Sequence, residues 1–429
     1  MKCNPGRWRS GKTDSGKSPV DLKNIRHYKG GGIEFNPNFA YLMARTLRVG
    51  MIGYGFMGKA HSNAWRQVPH FFPLKARVEM HTICGRDRAR VEADRGQLGW
   101  QFAVTDWREV VESPLIDIVD INTPNDSHAE IAIAAARAGK HVLCEKPLAL
   151  NVKQAEAMLA AAQKAKVVHM VCHNYRRVPA IALARRMIGE GALGEPFHFR
   201  ARYAQDWLID PEYPLKWRLD KGASGSGAHG DINVHIIDLA RYLVGEFKEV
   251  CGLMHTFIKE RPQAGEGGKG QSQGAKALQK RGKVTVDDAS LFIGRFVLGA
   301  LANLEATRYA AGRKNHLEIE INGARGSLCF DLEDMNRLKF FDTANPPDRQ
   351  GFRDILVTQP NGAHPYIAQW WRDGHLLGYE HTFVHTVADF VNACVEGKPV
   401  HPTFEDGLKN QQVLEAVELS AKKGQWVKV

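Results

Sequence analysis

The 429-residue sequence has no stretch approaching about 18 consecutive apolar residues, so a helical membrane span is not expected. It also lacks paired cysteines: the seven, at positions 3, 84, 144, 172, 251, 329 and 394, are odd in number, widely spaced and without a C-x-x-C. That pattern argues against a disulfide frame or a zinc ribbon and leaves reduced core thiols as the expectation. The first residues contain no apolar signal-peptide core, and Trp8 splits Arg7 from Arg9, which argues against a twin-arginine export signal. The expected location is the cytoplasm. The zincin motif H-E-x-x-H is missing too, since Thr382 stands where its glutamate would follow His381 in the His381/His385 pair; no metal is expected.

Charge is plentiful but unevenly placed. The formal net charge is +11, yet the first 42 residues hold eight Lys/Arg against three Asp/Glu, a share of +5. No basic helix with interleaved aromatics occurs elsewhere, so the excess does not point to nucleic acid. Those 42 residues are rich in Gly, Lys, Ser, Asn and Pro and show neither helical nor strand periodicity. A disordered extension over 1–45 is expected, dispensable for activity, with Met43 a natural first residue for the domain that begins there.

From residue 47 a pattern emerges. Residues 47–52 read as a buried strand, Gly53-Tyr54-Gly55-Phe56-Met57-Gly58 comes directly after it, and a helix is expected over 59–68. A G-x-G-x-x-G between strand and helix is a dinucleotide fingerprint, because its glycines permit a tight turn and close approach of a pyrophosphate to the N–H groups opening the helix. The second strand should be 77–84. A carboxylate for the adenosine ribose would stand near its end, where Gly85 lies with Arg86 next; this inclines the site to a 2′-phosphate and NADP, while Asp87 could still reach the ribose of NAD.

Alternation continues with helices at 107–112, 128–138 and 152–165 and strands at 116–122, 141–144 and 167–172, the mark of a doubly wound parallel sheet. Thr123-Pro124-Asn125, with His128 three residues on, closes one strand, and Glu145-Lys146-Pro147 closes the next. Both therefore face the cofactor crevice, and Lys146 brings a cation to it. The expected cofactor contacts are Gly53, Tyr54, Gly55, Phe56, Met57, Gly58, Arg86, Thr123, Pro124, Asn125, His128, Glu145 and Lys146.

After about residue 173 the period changes to alternation, at 197–203, 249–257, 289–296, 300–307, 316–321, 327–332 and 338–341, with Asn322-Gly323 marking a hairpin. The fold class is thus α/β: an N-terminal Rossmann domain over 46–172 plus a C-terminal α+β domain over 173–429 with a large, mostly antiparallel open sheet. Residues 263–283, rich in Gly, Lys and Gln, are expected to form a flexible loop, and helices at 379–396 and 405–423 close the chain.

The 53–58 fingerprint, Thr123-Pro124-Asn125, Glu145-Lys146-Pro147 and Gly230-Asp231-Ile232-Asn233-Val234-His235-Ile236-Ile237-Asp238 stand in order and at familiar separations. Together they resemble the glucose-fructose oxidoreductase / inositol dehydrogenase / rhizopine-catabolism (Gfo/Idh/MocA) family over residues 46–429. The runs 174–177, 205–207, 214–220 and 364–366 look most like its levoglucosan dehydrogenase subgroup. Asn233 stands where the family usually has Gly, a departure that bears on local backbone geometry.

The resemblance implies hydride transfer between a secondary hydroxyl of a sugar, anhydrosugar or cyclitol and NAD(P)(H). It assigns Lys146, Asp231 and His235 to the substrate hydroxyl: His235 as base, Asp231 and Lys146 positioning, with Lys146 also stabilising the developing alkoxide. Which of His235 and Lys146 handles the proton stays open. An imidazole suits the base role because its ordinary pKa, about 6.5, lies near operating pH. Asn174, Arg176 and Trp207 are candidates for the sugar side, since hydroxyls need paired donors and acceptors and a pyranose face packs on aromatic rings. Trp217 is as well suited to core packing. Glu145 is expected to fix the Lys146 loop, and Asp238 to cap or pair locally. The family also implies a homodimer or homotetramer through the C-terminal sheet. Two other readings stay open, a redox-neutral NAD-dependent glycosidase and a non-catalytic dinucleotide- or sugar-sensing regulator.

Overall fold

The computed structural model describes residues 45–264 and 277–429. The expected extension over 1–45 lies, apart from Arg45, outside the described residues.

Six strands form a fully parallel sheet: β1 (Thr46–Ile52), β2 (Arg77–Cys84), β3 (Phe102–Val104), β4 (Ile118–Ile121), β5 (His141–Cys144) and β6 (His169–Val171). Their order is β3-β2-β1-β4-β5-β6. The order in which strands are added reverses at the β1/β4 junction, which opens a crevice at the carboxyl ends of those parallel strands. Helices α1 (Phe56–Phe71), α2 (Arg88–Leu98), α3 (Trp107–Glu112), α4 (His128–Arg137) and α5 (Val152–Ala165) make the crossovers. In α1 the buried residues Gly58, His61, Ser62, Ala64, Trp65 and Val68 make one stripe at helical spacing.

After helix α6 (Pro179–Gly189) the chain builds a nine-stranded sheet from β7 (Pro196–Ala204), β8 (Phe247–His255), β11 (Ala289–Phe296), β12 (Leu301–Thr307), β13 (His316–Gly323), β14 (Gly326–Asp331), β15 (Arg337–Asp342), β16 (Arg353–Leu356) and β17 (Val427–Lys428). The order is β16-β15-β14-β13-β7-β12-β11-β8-β17, and only β12 and β7 pair in parallel. Burial alternates along β11, so one face packs on helices and the other is exposed among the described residues. Beneath the covered face lie helix α7 (Val234–Leu243), α6 and, from the end of the chain, α9 (Phe404–Lys423), with Phe199, Ile237, Phe296, Leu304 and Val417 fully buried among them.

Helix α8 (Tyr379–Glu396), although late in the sequence, packs on α1. Its Phe383, Val387, Phe390 and Val391 complete the core around β1 with Leu47, Met51 and Trp65. The C-terminal segment therefore roofs the dinucleotide half as well as its own sheet.

The loop expected over 263–283 carries strand at both ends. β9 (Glu260–Ala264) and β10 (Ala277–Lys283) pair antiparallel, and residues 265–276 lie outside the described residues. A two-stranded ladder is held by main-chain hydrogen bonds and needs no apolar alternation, so polar composition hid it. Leu215 N–H donates to the Pro262 carbonyl (2.7 Å), which ties the ladder to the loop before α7.

Candidate active site

The crevice begins where β1 runs into the glycine turn. Gly53 has φ +105°, and a Cβ there would come 2.5 Å from the Asn122 carbonyl oxygen, so only glycine lets β1 and β4 close up. A Cβ on Gly58 would sit 2.4 Å from the Gly53 carbonyl oxygen, whereas one on Gly55 would meet nothing within 4 Å. Helix α1 opens with no side-chain cap and no acid in its first turn. Open space over Gly55 and a 16-residue helix with uncapped N–H groups fit a dinucleotide pyrophosphate.

At the adenosine end, Tyr54 lies over Gly85: a Cβ added there would fall 1.5 Å from its ring. The Arg90 guanidinium stacks 4.8 Å from the centre of that ring. Asp87, the alternative ribose ligand, instead caps α2 by accepting from Arg90 N–H at 3.0 Å. Arg86 is exposed beside them.

Three expected cofactor contacts turn out to act from below. His128 is fully buried, its Nδ1 3.0 Å from the Pro147 carbonyl and its Nε2 3.1 Å from the Thr123 carbonyl. It clamps the two crevice loops together and has no surface left for a ligand. Asn125, also buried, donates to the Ser224 carbonyl at 2.9 Å and joins the crevice to the segment leading into the second sheet. Glu145 is 4% exposed and turned inward, accepting at 3.0 Å from His61 Nε2. Thr123, Pro124, Met57 and Phe56 keep partly or fully exposed positions along the crevice.

Lys146 reaches across to the second half. Its Nζ donates to the Asp231 carbonyl (2.8 Å) and to Asp231 Oδ1 (3.0 Å). Asp231 lies in a π-helical turn, His229–Asn233, that feeds α7. Asn233 takes ordinary helical angles there, φ −64° and ψ −31°, so the missing glycine does not distort the turn. Its amide is spent inward, on His229 Nδ1 (3.1 Å) and Ser290 Oγ (3.4 Å).

Two arginines that sequence reading passed over complete the surroundings of Asp231. Arg308, at the end of β12 and wholly buried, donates through Nη2 to Asp231 Oδ2 (2.7 Å) and to the Gly227 carbonyl (3.1 Å). Arg218 Nε lies 3.9 Å from the same carboxylate oxygen, and its guanidinium is stacked 4.2 Å from the centre of the Trp217 ring. Burial alone would raise the Asp231 pKa, but Lys146, Arg308 and Arg218 together hold it well below the usual carboxylate range. Asp231 is therefore a fixed anion and not a proton carrier.

His235 sits one turn on, 6% exposed, packed against Tyr175 (ring centres 4.6 Å apart), Tyr203 (5.8 Å) and His173 (6.0 Å). Burial first and the Lys146 charge second push its pKa well below the ordinary imidazole value, so the ring is neutral at neutral pH. Among the described residues no side chain or carbonyl bonds its buried Nδ1. The ring is therefore in the form that accepts a proton, although burial and the Lys146 charge oppose the imidazolium and only Asp231 favours it, in contrast to the ordinary pKa expected from the sequence.

The sugar-side candidates divide. Trp207 donates to Gln205 Oε1 (2.8 Å) and offers its ring to the Arg308 guanidinium at 5.3 Å, which puts it beside Asp231. Asn174 spends its amide on Thr382 Oγ1 (2.8 Å) and is 3% exposed. Arg176 is bidentate on Asp238 (2.7 and 2.6 Å) and also reaches Asp406 (3.2 Å), so its Nε and Nη2 are engaged within the protein. A buried guanidinium needs such partners, and the Asn-Tyr-Arg-Arg run alone did not reveal them. His385 is likewise engaged, by the Arg177 carbonyl (2.9 Å) and Trp370 Nε1 (2.7 Å), and His381 Nδ1 accepts from Gly378 N–H (3.0 Å). All six described cysteines are unpaired.

Known proteins match the chain over both halves. Residues 47–173 match the model for the "Oxidoreductase family, NAD-binding Rossmann fold", and residues 181–329 match the "GFO/IDH/MocA C-terminal domain". The levoglucosan dehydrogenase of Pseudarthrobacter phenanthrenivorans is 43% identical over 394 residues, which span 90% of this chain and 98% of that protein. Among solved structures, an oxidoreductase domain protein from Kribbella flavida superposes with a TM-score of 0.85 at 54% identity, covering 90% of this chain and 99% of that one. A levoglucosan dehydrogenase complex with NADH and levoglucosan gives 0.84 at 43% identity, with the same coverages.

Proposed function

The chain belongs to the Gfo/Idh/MocA family and is an NAD(P)-dependent oxidoreductase acting on sugar or cyclitol hydroxyls; from that premise we propose that it oxidises an anhydropyranose of the levoglucosan type through Lys146, Asp231 and His235. The relatives of known activity at 43% identity bear that substrate's name, which supports the narrower class.

The observation that carries the assignment is the Lys146–Asp231 pair spanning the two halves of the crevice. The bound nicotinamide supplies the hydride acceptor. The substrate hydroxyl lies against Lys146 Nζ, whose charge stabilises the oxyanion as its proton leaves. Asp231, held ionised, fixes the ammonium. His235, neutral, takes the hydroxyl proton while the C–H electron pair departs from the same carbon as hydride, leaving a ketone. Trp207 and Trp217 flank the sugar, and Arg218 donates to its other oxygens. At the adenosine end the exposed Arg86 supports a lean towards NADP, whereas the similar levoglucosan dehydrogenase structures carry NADH.

We also propose that the helix-free face of the nine-stranded sheet, with its apolar strip on β8 and β11, packs against a second copy of the chain, in a homodimer or a tetramer built from it. Among the described residues no helix is long and apolar enough to cross a membrane. Reduced cysteines suit the cytoplasm.

A panel of anhydrosugars, aldoses and cyclitols with NAD+ or NADP+, followed at 340 nm, tests the reading. Net formation of reduced dinucleotide with levoglucosan is the expected result. Glycoside cleavage without net reduction would replace it with a redox-neutral glycosidase, and no turnover with any sugar would favour a regulator.

A further inference from the structure

Beneath Lys146 lies a buried charge cluster that the hydride-transfer chemistry does not use. His61, on the helix that opens at the glycine turn, is 1% exposed. Its Nδ1 is 3.0 Å from both carboxylate oxygens of Asp120, and its Nε2 is 3.0 Å from Glu145 Oε1. Asp120 also accepts from Trp65 Nε1 (2.6 Å) and Asn122 Nδ2 (2.9 Å), so it acts only as an acceptor. Glu145 Oε2 accepts the backbone N–H of Lys146 at 3.3 Å. Two acceptor-only carboxylates on opposite nitrogens require both nitrogens to carry hydrogen, which makes the ring an imidazolium. Cys172, with Sγ 3.5 Å from Nε2, adds no charge, since burial keeps its thiol protonated, pushed up to about 12.

We propose that His61 is a positioning residue for the reaction: as a cation clamped between Asp120 and Glu145, it holds the Glu145 carboxylate away from the Lys146 ammonium and leaves that ammonium to Asp231. Lys146 is the residue after Glu145, and two anions compete for it. His61⁺ satisfies the nearer one from below. Without that charge, Glu145 would be a buried carboxylate short of a cation, and Lys146 is the cation within reach. Because His61 and the glycine turn share one helix, the element that receives the dinucleotide also fixes where the lysine points. The kinetic part rests on the hydride-transfer reading; the charge state does not.

The test has two arms. In the wild-type holoenzyme labelled with ¹⁵N-histidine, one ring should keep imidazolium shifts at both nitrogens at about pH 8.5, where ordinary histidines are neutral; no such ring at that pH overturns the charge assignment. This arm needs neither turnover nor a variant. In the second arm, with levoglucosan as the probe, His61→Gln should lower kcat roughly tenfold to a hundredfold, as misplaced catalytic groups do, with the Kd for reduced dinucleotide unchanged. His61→Gln combined with Glu145→Gln should regain most of that loss, because the competing anion is gone. A double variant as slow as His61→Gln or slower overturns the proposal, since a purely structural role would make the two losses accumulate. A wild type silent with every sugar would refute the proposed function and leave the first arm to decide the charge.

Discussion

Arg308 Nη2 and Lys146 Nζ take opposite oxygens of one carboxylate, at 2.7 Å from Asp231 Oδ2 and 3.0 Å from Asp231 Oδ1. Asp231 is thereby aimed from both sides, and the guanidinium doing so is wholly buried. Replacing Arg308 by Met keeps the volume and removes the charge. Breaking one partner of a buried pair costs about 3–5 kcal/mol, so the thermal midpoint should fall and kcat should drop by an order of magnitude or more. Differential scanning fluorimetry and steady-state kinetics on Arg308→Met would reveal both; a variant with normal Tm and kcat would show the clamp to be idle.

Lys146→Ala and His235→Ala test the proposed chemistry. Each should lower kcat by roughly 10²- to 10⁴-fold, the usual weight of a positioned acid–base or charge-stabilising group. Binding of reduced dinucleotide, followed by its fluorescence, should survive, since the glycine turn is untouched. Near-normal kcat in either variant would remove that residue from the trio.

The pH dependence of stability follows from the buried histidines. Burial lowers His169 and His173 to about 4 and His385 to about 3. In the unfolded chain they would titrate near about 6.5, so the unfolded state binds more protons between those values, and stability falls as pH drops through that window. Asp238, held at about 2 in its pair with Arg176, extends the loss to lower pH. His61 runs the other way: burial disfavours its charge, Asp120 more than restores it, and its contribution is lost only as pH rises through the raised value. Urea midpoints should therefore decline steadily from pH 6.5 to 4. A flat profile there would mean that these rings are already protonated in the folded state.

How much of this was legible in the sequence depends on what signals locally. β2, α3, β5, α5, β11 and α8 have the bounds expected from periodicity and turns, because each buries a face written into neighbouring residues. Helix α2 went unread because Val91 is its only buried residue, so it has no stripe to see. Lys146, Asp231 and His235 were singled out by motif order, and the fold brings Lys146 onto Asp231. Arg308 was not found: an arginine at a strand end looks like any solvated cation until the topology sets it beside Asp231. The pairing of Arg176 was equally illegible, since nothing near it announces Asp238, 62 positions away. Long-range ion pairs are decided by tertiary structure and leave no short-range trace.

Cofactor preference can be tested at Arg86. A carboxylate at Gly85 would be a poor probe, because its Cβ would collide with the Tyr54 ring. Arg86→Ala leaves that stack intact and removes the cation beside it. The expected result is a fall in kcat/KM for NADP+ of roughly tenfold or more, the worth of one lost charge-assisted contact, with little change for NAD+. Equal effects on both dinucleotides would refute the role given to Arg86.

The bare face of the nine-stranded sheet makes the last prediction. Leu253 is 73% exposed, Leu291 44%, Ile293 49% and Leu301 48%. Leu291 pairs across the ladder with Leu253, and Leu301 pairs with Arg295 two residues beyond Ile293, so the four lie on adjoining strands. Their alternation with buried neighbours shows that this is the outer face and not a frayed edge. Leu253, Leu291 and Ile293 make an apolar strip across β8 and β11, bordered on β12 by Asn303 and Glu305, and such a strip is a surface that water disfavours and a second sheet can cover. Sheet-on-sheet packing of this kind is self-complementary about a twofold axis, which makes another copy of the chain the natural occupant. Leu253→Glu with Ile293→Glu would place four carboxylates in a twofold interface while leaving the helix-covered core intact. Light scattering after gel filtration should give an oligomer for the wild type and a folded monomer for the double variant. A monomeric wild type, or an oligomer indifferent to the four charges, would mean that the face is covered by something else or by nothing.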